Sequence, residues 1–288
     1  MRPKDLKTKI FLDSGDPIET KKIIKILGFL DGQTTNPTLI AKNPKAVEMI
    51  KKGKKFTKKE IYAFYKDVIQ EISKLIPQGS VSVEVYADFE TTSSQMLKEA
   101  EEMFSWIPNA HIKLPIIKEG LVAAHQAAQD GMRINMTLCF TQEQAAAVFL
   151  ATKGASKGAV LISPFIGRLD DVGQNGISLI SNILKSYRKD KNNHVEVLAA
   201  SVRNLPHFLS SLSLECDIIT APFSVLSEWA EKGCPIPGSS YIYKTELETI
   251  PFIDLLNFPK DWRKTRLENE LTKKGVEKFC ADWGVLIA

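Results

Sequence analysis

Short runs in which apolar and polar residues alternate recur along the chain. Between them lie longer segments whose apolar positions repeat every three to four residues. Alternation predicts strands, and the longer period predicts helices with one apolar face. The first run, 8–13 (TKIFLD), sets Ile10 and Leu12 on one side and ends at Asp13. A helix start follows at Asp16-Pro17-Ile18-Glu19, with Asp16 as N-cap, Pro17 at the first helical position and Glu19 in the first turn. Ile23, Ile24 and Leu27 form its apolar stripe, and Gly28 can end it. The pattern then predicts strands at 29–34, 81–86, 110–114, 132–138, 159–164, 195–201 and 216–221. Helices are expected near 43–51, 57–76, 91–106, 117–129, 141–153, 176–188 and 204–213, and from about 223. Residues 234–258 read as irregular with a short extended piece at 240–244, and a charged amphipathic helix is expected near 259–283.

Eight strands alternating with helices is the arithmetic of a (β/α)8 TIM barrel. The whole of 1–288 is therefore expected to be one barrel, with 259–283 as an extra C-terminal helix packed on it. A doubly wound open sheet is the alternative, but no GxGxxG follows the first strand.

Composition narrows the class without naming a chemistry. Hydrophobic residues make up 44% and charged residues 25% of 288, the balance of a soluble globular protein with a full core. A net charge of +4 argues neither for nor against nucleic acid. No apolar run reaches the length of a membrane span, and MRPKDLKTK lacks a signal-peptide apolar region, so no membrane partner is expected and the setting is read as cytoplasmic. The four cysteines (Cys139, Cys216, Cys234, Cys280) show neither CxxC spacing nor a histidine at metal-site intervals. They read as buried thiols in a reducing cytosol, and no metal is expected.

One residue does not fit its strand. Lys113 stands at the centre of His111-Ile112-Lys113-Leu114-Pro115, between two helical segments, and lysine is depleted in strands. Alternate barrel residues face the lumen and the helices. With Lys113 inward, Ile112 and Leu114 face the helices. The same parity turns Asp13, Glu84, Asn135, Thr137, Ser163 and Phe165 inward, while Ile10, Leu12, Val81, Val83, Val85, Ile134, Met136, Leu138 and Ile162 face out. Ser201 and Arg203 share one side beyond the seventh strand. The polar inward residues lie at the C-terminal ends of their strands, where barrel active sites form.

A lysine amine attacks a carbonyl only when neutral. Burial favours the neutral amine and neighbouring carboxylates favour the cation, and residue types alone do not decide between them. A Schiff base, once formed, is cationic, so Asp13 and Glu84 could stabilise it and move the protons of dehydration and C–C cleavage. Arg168 and Arg203, at the ends of the sixth and seventh strands, stand where barrels commonly hold phosphate. A ketose phosphate would meet these demands, with its carbonyl for Lys113, hydroxyls for Asn135 and Ser163, and phosphate for the arginines.

At these residues the sequence resembles transaldolase. The stretches that carry it are DGQTTNPTLI (31–40), VSVEVYAD (81–88), IKLP (112–115), INMTLCF (134–140), LISPFIGRLDD (161–171) and ASVRN (200–204). The resemblance implies a Schiff-base enzyme that moves a dihydroxyacetone unit between sugar phosphates in the non-oxidative pentose phosphate pathway, from sedoheptulose 7-phosphate or fructose 6-phosphate. Lys113 matches the Schiff-base lysine, Asp13 the acid/base acting on the C4 hydroxyl, and Glu84 with Thr137 the pair that positions a catalytic water. Asn36, Asn135 and Ser163 match residues holding the dihydroxyacetone part, and Arg168, Ser201 and Arg203 match the phosphate site. No metal or organic cofactor is implied. Related fructose-6-phosphate aldolases, which release free dihydroxyacetone, typically carry glutamine where Glu84 stands and tyrosine where Phe165 stands. Departures from the family pattern, chiefly 234–258, bear on acceptor preference and leave room for a homo-oligomer.

Plainer readings stand beside these. Arg168 with Asp170 could be a structural ion pair, and Arg203 a surface residue at a helix start. His111 reads as a satisfied core histidine, and His125, His194 and His207 as surface or helix residues. Phe165 could be core packing as well as substrate wall. The run KKGKKFTKK (51–59), with six lysines, reads as a solvated joint rather than a nucleic-acid or membrane patch. A non-catalytic barrel that binds sugar phosphate is the third functional reading.

Overall fold

The computed structural model describes residues 2–238, 240–254 and 257–288. Its strands in chain order are β1 (Lys9–Asp13), β2 (Gly32–Thr34), β3 (Ser80–Glu84), β4 (Ala110–Pro115), β5 (Ile134–Cys139), β6 (Val160–Pro164), β7 (Gln174–Asn175), β8 (Val195–Ala199), β9 (Ile218–Ala221) and β10 (Glu248–Thr249). All except β7 and β10 join in the order β1-β2-β3-β4-β5-β6-β8-β9 and close on themselves, every pairing parallel. Helices between consecutive strands complete a (β/α)8 barrel. β7 and β10 form a separate two-stranded ribbon that ties the 234–258 segment to the start of helix Gly176–Tyr187.

Local chemistry explains the element ends. Asp16 accepts a hydrogen bond from the Ile18 N–H and Pro17 opens helix Pro17–Leu27, which Gly28 ends at a φ of 79°. Thr57 and Glu60 form a reciprocal capping box on helix Lys58–Leu75. Gly120 lets helix Lys118–Gln129 lie against the end of β4, since a Cβ there would fall 2.1 Å from the Pro115 carbonyl oxygen.

Several elements differ from the pattern-based expectation. Helices Pro37–Ala41 and Ile166–Asp170 have five residues each, too few for a periodicity to register. β5 begins at Ile134 rather than 132, because the Met132 N–H is bonded back to Ala127 at the end of the preceding helix. No strand forms at 240–244 among the described residues, where β10 is the only strand of 234–258. The closing helix runs Glu270–Leu286 instead of 259–283, because the Asn269 side chain caps it by accepting from Leu271 and Thr272. A single 3-10 turn at Trp262–Lys264 stands before it. His207 lies in helix Leu205–Ser213, one of its two expected places, and is buried there; His194 is buried and in no helix, and Cys234 and Cys280 are partly exposed rather than buried.

The inward set divides by height in the barrel. Phe11, His111 and Leu161 line a cavity of about 580 Å³ at the N-terminal end. Two residues further along the same strands, Asp13, Lys113 and Ser163 line one at the C-terminal end. Side chains of one parity thus face the lumen at both levels, as the period of two requires.

His111 plugs the lower level. One ring nitrogen lies 2.7 Å from Ser80 Oγ and the other 3.1 Å from the Gly158 carbonyl oxygen. Burial, with Arg133 and Lys9 nearby, pushes its pKa down to about 4. The unfolded chain therefore binds a proton between about pH 6.5 and the folded value that the native state refuses. This group's stability is complete above about pH 6.5 and is lost as pH falls toward 4, on the order of 3 kcal/mol. His111→Gln is expected to flatten the fall in thermal midpoint across that window. An unchanged slope would mean that other groups set acid stability.

Candidate active site

At the C-terminal mouth of the barrel the register sets Glu84 beside Lys113 and Lys113 beside Asn135, on three adjacent strands. Lys113 is 3% exposed and Glu84 is 5% exposed, and Lys113 Nζ lies 2.8 Å from Glu84 Oε2. The ammonium also donates to the Thr35 carbonyl at 3.0 Å. The contact with Glu84 is close but poorly aligned, so Oε2 has no directed hydrogen bond, and Thr137 Oγ1 has none either. Two buried polar oxygens without a directed hydrogen bond at one site are unusual in a packed core.

Burial pushes the Glu84 carboxyl above its ordinary range, while Lys113 and then Arg168 pull it back. Asp13, across the barrel, is likewise raised by burial. Its Oδ1 accepts from Thr34 Oγ1 at 2.7 Å, and that hydrogen bond and the charge of Lys113 oppose the rise. Thr34 in turn lies 2.6 Å from Thr220 Oγ1 on β9. Below, Asn135 is fully buried, its amide donating to Ser82 Oγ at 3.1 Å and its carbonyl accepting from Ser163 Oγ at 2.7 Å. These bonds lock Asn135 and Ser163 to each other.

The cavity above Lys113 holds about 200 Å³. Asp13, Asn36, Lys113, Thr137, Ser163, Phe165, Arg168 and Ser201 line it. Asn36 enters through its own helix, where its carbonyl oxygen caps Pro37–Ala41 by accepting from the Leu39 N–H. Arg168 lies between two rings, 5.2 Å from the Phe165 centroid and 5.5 Å from that of Phe279. Burial lowers its pKa from the usual guanidinium range, and among the described residues no carboxylate is in ion-pair contact with it. Gly275 allows this packing, since a Cβ there would meet Arg168 Nη1 at 2.8 Å. Ser201 stands at a φ of 55°, a strained conformation for a residue with a side chain, on the same rim.

Three of the sequence-derived site residues are not on the cavity wall. Glu84 sits behind Lys113, and Asn135 beneath Ser163. Arg203 lies outside, where both terminal nitrogens bind the Asp171 carboxylate, one of them at 2.6 Å. It packs over Gly167, next to Arg168. Asp170 pairs with buried His207, at 2.8 Å, rather than with Arg168. Sequence reasoning did not single out Thr34, Lys42, Thr220 and Phe279, which also line the cavity. Thr34 and Thr35 belong to the quoted TTNP stretch, so a signal for them existed, whereas Phe279 comes from the closing helix and carries none.

The larger N-terminal cavity holds less chemistry. At the N-terminal cavity the Lys9 ammonium is paired with Glu196, and His111 has both nitrogens engaged. Among the described residues, no group of three or more His, Cys, Asp or Glu side chains could hold a metal ion. No helix of the described residues is long and apolar enough to cross a membrane.

The model of the Transaldolase/Fructose-6-phosphate aldolase family matches residues 10–288. A "Probable transaldolase" of Dehalococcoides mccartyi is 39% identical over 275 residues, covering 96% of this chain and 97% of its own. Another, of Methanococcus maripaludis, is 35% identical over the same length and shares. A third, of Leptospira biflexa, is 41% identical over 216 residues, covering 75% of this chain and 87% of its own.

Proposed function

The chain belongs to the transaldolase/fructose-6-phosphate aldolase family, and from that premise we propose that it transfers a dihydroxyacetone unit between sugar phosphates through a Schiff base on Lys113. The observation that carries the reading is the buried Lys113–Glu84 contact at 2.8 Å beneath a cavity of about 200 Å³. A carboxyl already raised by burial can take the shared proton, which leaves a neutral amine facing the substrate.

In this reading Lys113 Nζ adds to C2 of the ketose phosphate, and the carbinolamine loses water to give an iminium. Glu84 Oε2 and Thr137 Oγ1, both free of directed partners, suit the holding of that water. Asp13 then takes the proton of the C4 hydroxyl, the C3–C4 bond breaks, and its electron pair moves into the iminium to form an enamine. The aldose phosphate leaves. An acceptor aldose phosphate adds at C3, Asp13 returns its proton to the new alkoxide, and water releases the product ketose from Lys113. Asn36, Asn135 and Ser163 are assigned to the dihydroxyacetone hydroxyls. Arg168 and Ser201 are assigned to the phosphate, and Arg203 joins them if phosphate displaces Asp171. A cytoplasmic setting goes with these substrates.

Transfer rather than release is favoured by Phe165, whose phenyl ring has no proton to give to the enamine. With fructose 6-phosphate alone, free dihydroxyacetone is expected at no more than about one-hundredth of the transfer rate seen once erythrose 4-phosphate is added. Equal rates with and without acceptor would convert the reading to an aldolase. Turnover of neither kind would leave a binding barrel.

A further inference from the structure

Tyr65 lies on helix Lys58–Leu75, outside the barrel, and is 1% exposed. Its ring meets Trp106 and Trp283 edge-on, at 5.8 and 5.7 Å. The hydroxyl reaches the strands. It accepts from the Glu84 backbone N–H at 2.9 Å and lies 2.8 Å from Thr35 Oγ1. Thr35 Oγ1 donates its one proton to the Ser82 carbonyl at 2.7 Å. The Tyr65 proton must therefore point at Thr35 Oγ1, and the direction of the chain is fixed.

Both residues held this way touch Lys113. Glu84 presents Oε2 to its amine, and Thr35 presents its carbonyl oxygen to the same atom. We propose that Tyr65 is a positioning residue for the Schiff-base site, holding Glu84 and Thr35 at the spacing that presents the Lys113 amine to a ketose carbonyl. The inference rests on Lys113 being the nucleophile. A core tyrosine with a satisfied tip would need only one partner. This hydroxyl instead bridges the Glu84 N–H on β3 and the Thr35 side chain just past β2, the two residues that contact one amine.

Tyr65→Phe keeps the ring and removes the bridge, leaving the buried Glu84 N–H without its Tyr65 partner. Small misplacement of reacting groups costs up to about a hundredfold in rate. The variant is expected to lower kcat for transfer from fructose 6-phosphate by about tenfold to a hundredfold, with KM within about twofold. The rate of borohydride trapping with that donor is expected to fall by the same factor. Tyr62→Phe, on the same helix as Tyr65, removes a hydroxyl bonded to Glu99 of helix Ser93–Phe104 and is expected to leave both rates unchanged. A lower thermal midpoint with unchanged kcat and trapping per folded molecule would overturn the proposal and make Tyr65 a structural residue. Should Tyr65→Phe yield no folded protein, Thr35→Val removes the Thr35 end of the bridge while leaving the bond from the Glu84 N–H, and a fall in the same two rates supports positioning where no fall overturns it. Failure of the underlying reading is separately visible, because then either wild type would trap no donor or Lys113→Met would still trap it.

Discussion

Lys113→Met is expected to fold, to lose group transfer by about 10⁵-fold or more, and to gain no mass from fructose 6-phosphate under borohydride. Methionine fills the side-chain space as far as Cε in a site that is 3% exposed and removes the nucleophile altogether. Glu84, Asp13 and Thr137 form no stable imine, and Lys42, which also lines the cavity, is the residue on which a substitute adduct would be sought. Turnover within a hundredfold of wild type, or an adduct on another lysine, would end the Schiff-base assignment.

The same variant carries a second signature, in stability. Burial already raises the Glu84 carboxyl, and Lys113 is the largest influence opposing that rise. Without the lysine the group is raised further. A carboxyl whose folded pKa lies above its unfolded value of about 4.3 stabilises the protein below that value, and the gain is lost as pH rises through the folded pKa. Lys113→Met should therefore match wild type in unfolding free energy near pH 5 and fall behind it by pH 8, by up to about 3–5 kcal/mol if the charge is forced on an unpaired Glu84. A deficit that is the same at both pH values would mean that packing, not the buried carboxylate, is at fault.

The neighbourhood of Lys113 was legible in the sequence because barrel strands have a period of two, so parity alone sets which side chains share the lumen. Glu84, Lys113 and Asn135 are then adjacent by register, without reference to any helix. What escaped notice reaches the site across that wall. Tyr65 comes from an outer helix and Phe279 from the closing helix, and no local pattern reports either approach. Arg203 shows the opposite limit. Its place after β8 suits a phosphate, yet the competing Asp171 carboxylate becomes visible only when the Ile166–Asp170 turn is folded against it. His207 has its expected place in a helix, but its partners Asp170 and Tyr243 come from other segments and are visible only in the fold.

Asp13→Asn should separate two steps that Lys113→Met removes together. The amide keeps an oxygen to accept the Thr34 hydroxyl, which now lies 2.7 Å from Asp13 Oδ1, so the geometry is preserved. It cannot accept the C4 proton, and loss of a general base typically costs about 10²–10⁴-fold. Transfer is expected to fall by that much, while borohydride still attaches the intact six-carbon donor to Lys113. The base acts only when ionised. Burial raises Asp13, so the wild-type rate should bend downward on the acid side at a pH above the usual aspartate range. That limb should be absent from the residual activity of Asp13→Asn, which has no carboxyl left to protonate. Retention of a tenth or more of the wild-type rate would remove Asp13 from the proton transfer. Loss of trapping along with turnover would instead assign it to imine formation, and the division of labour between Asp13 and Glu84 would have to be reversed.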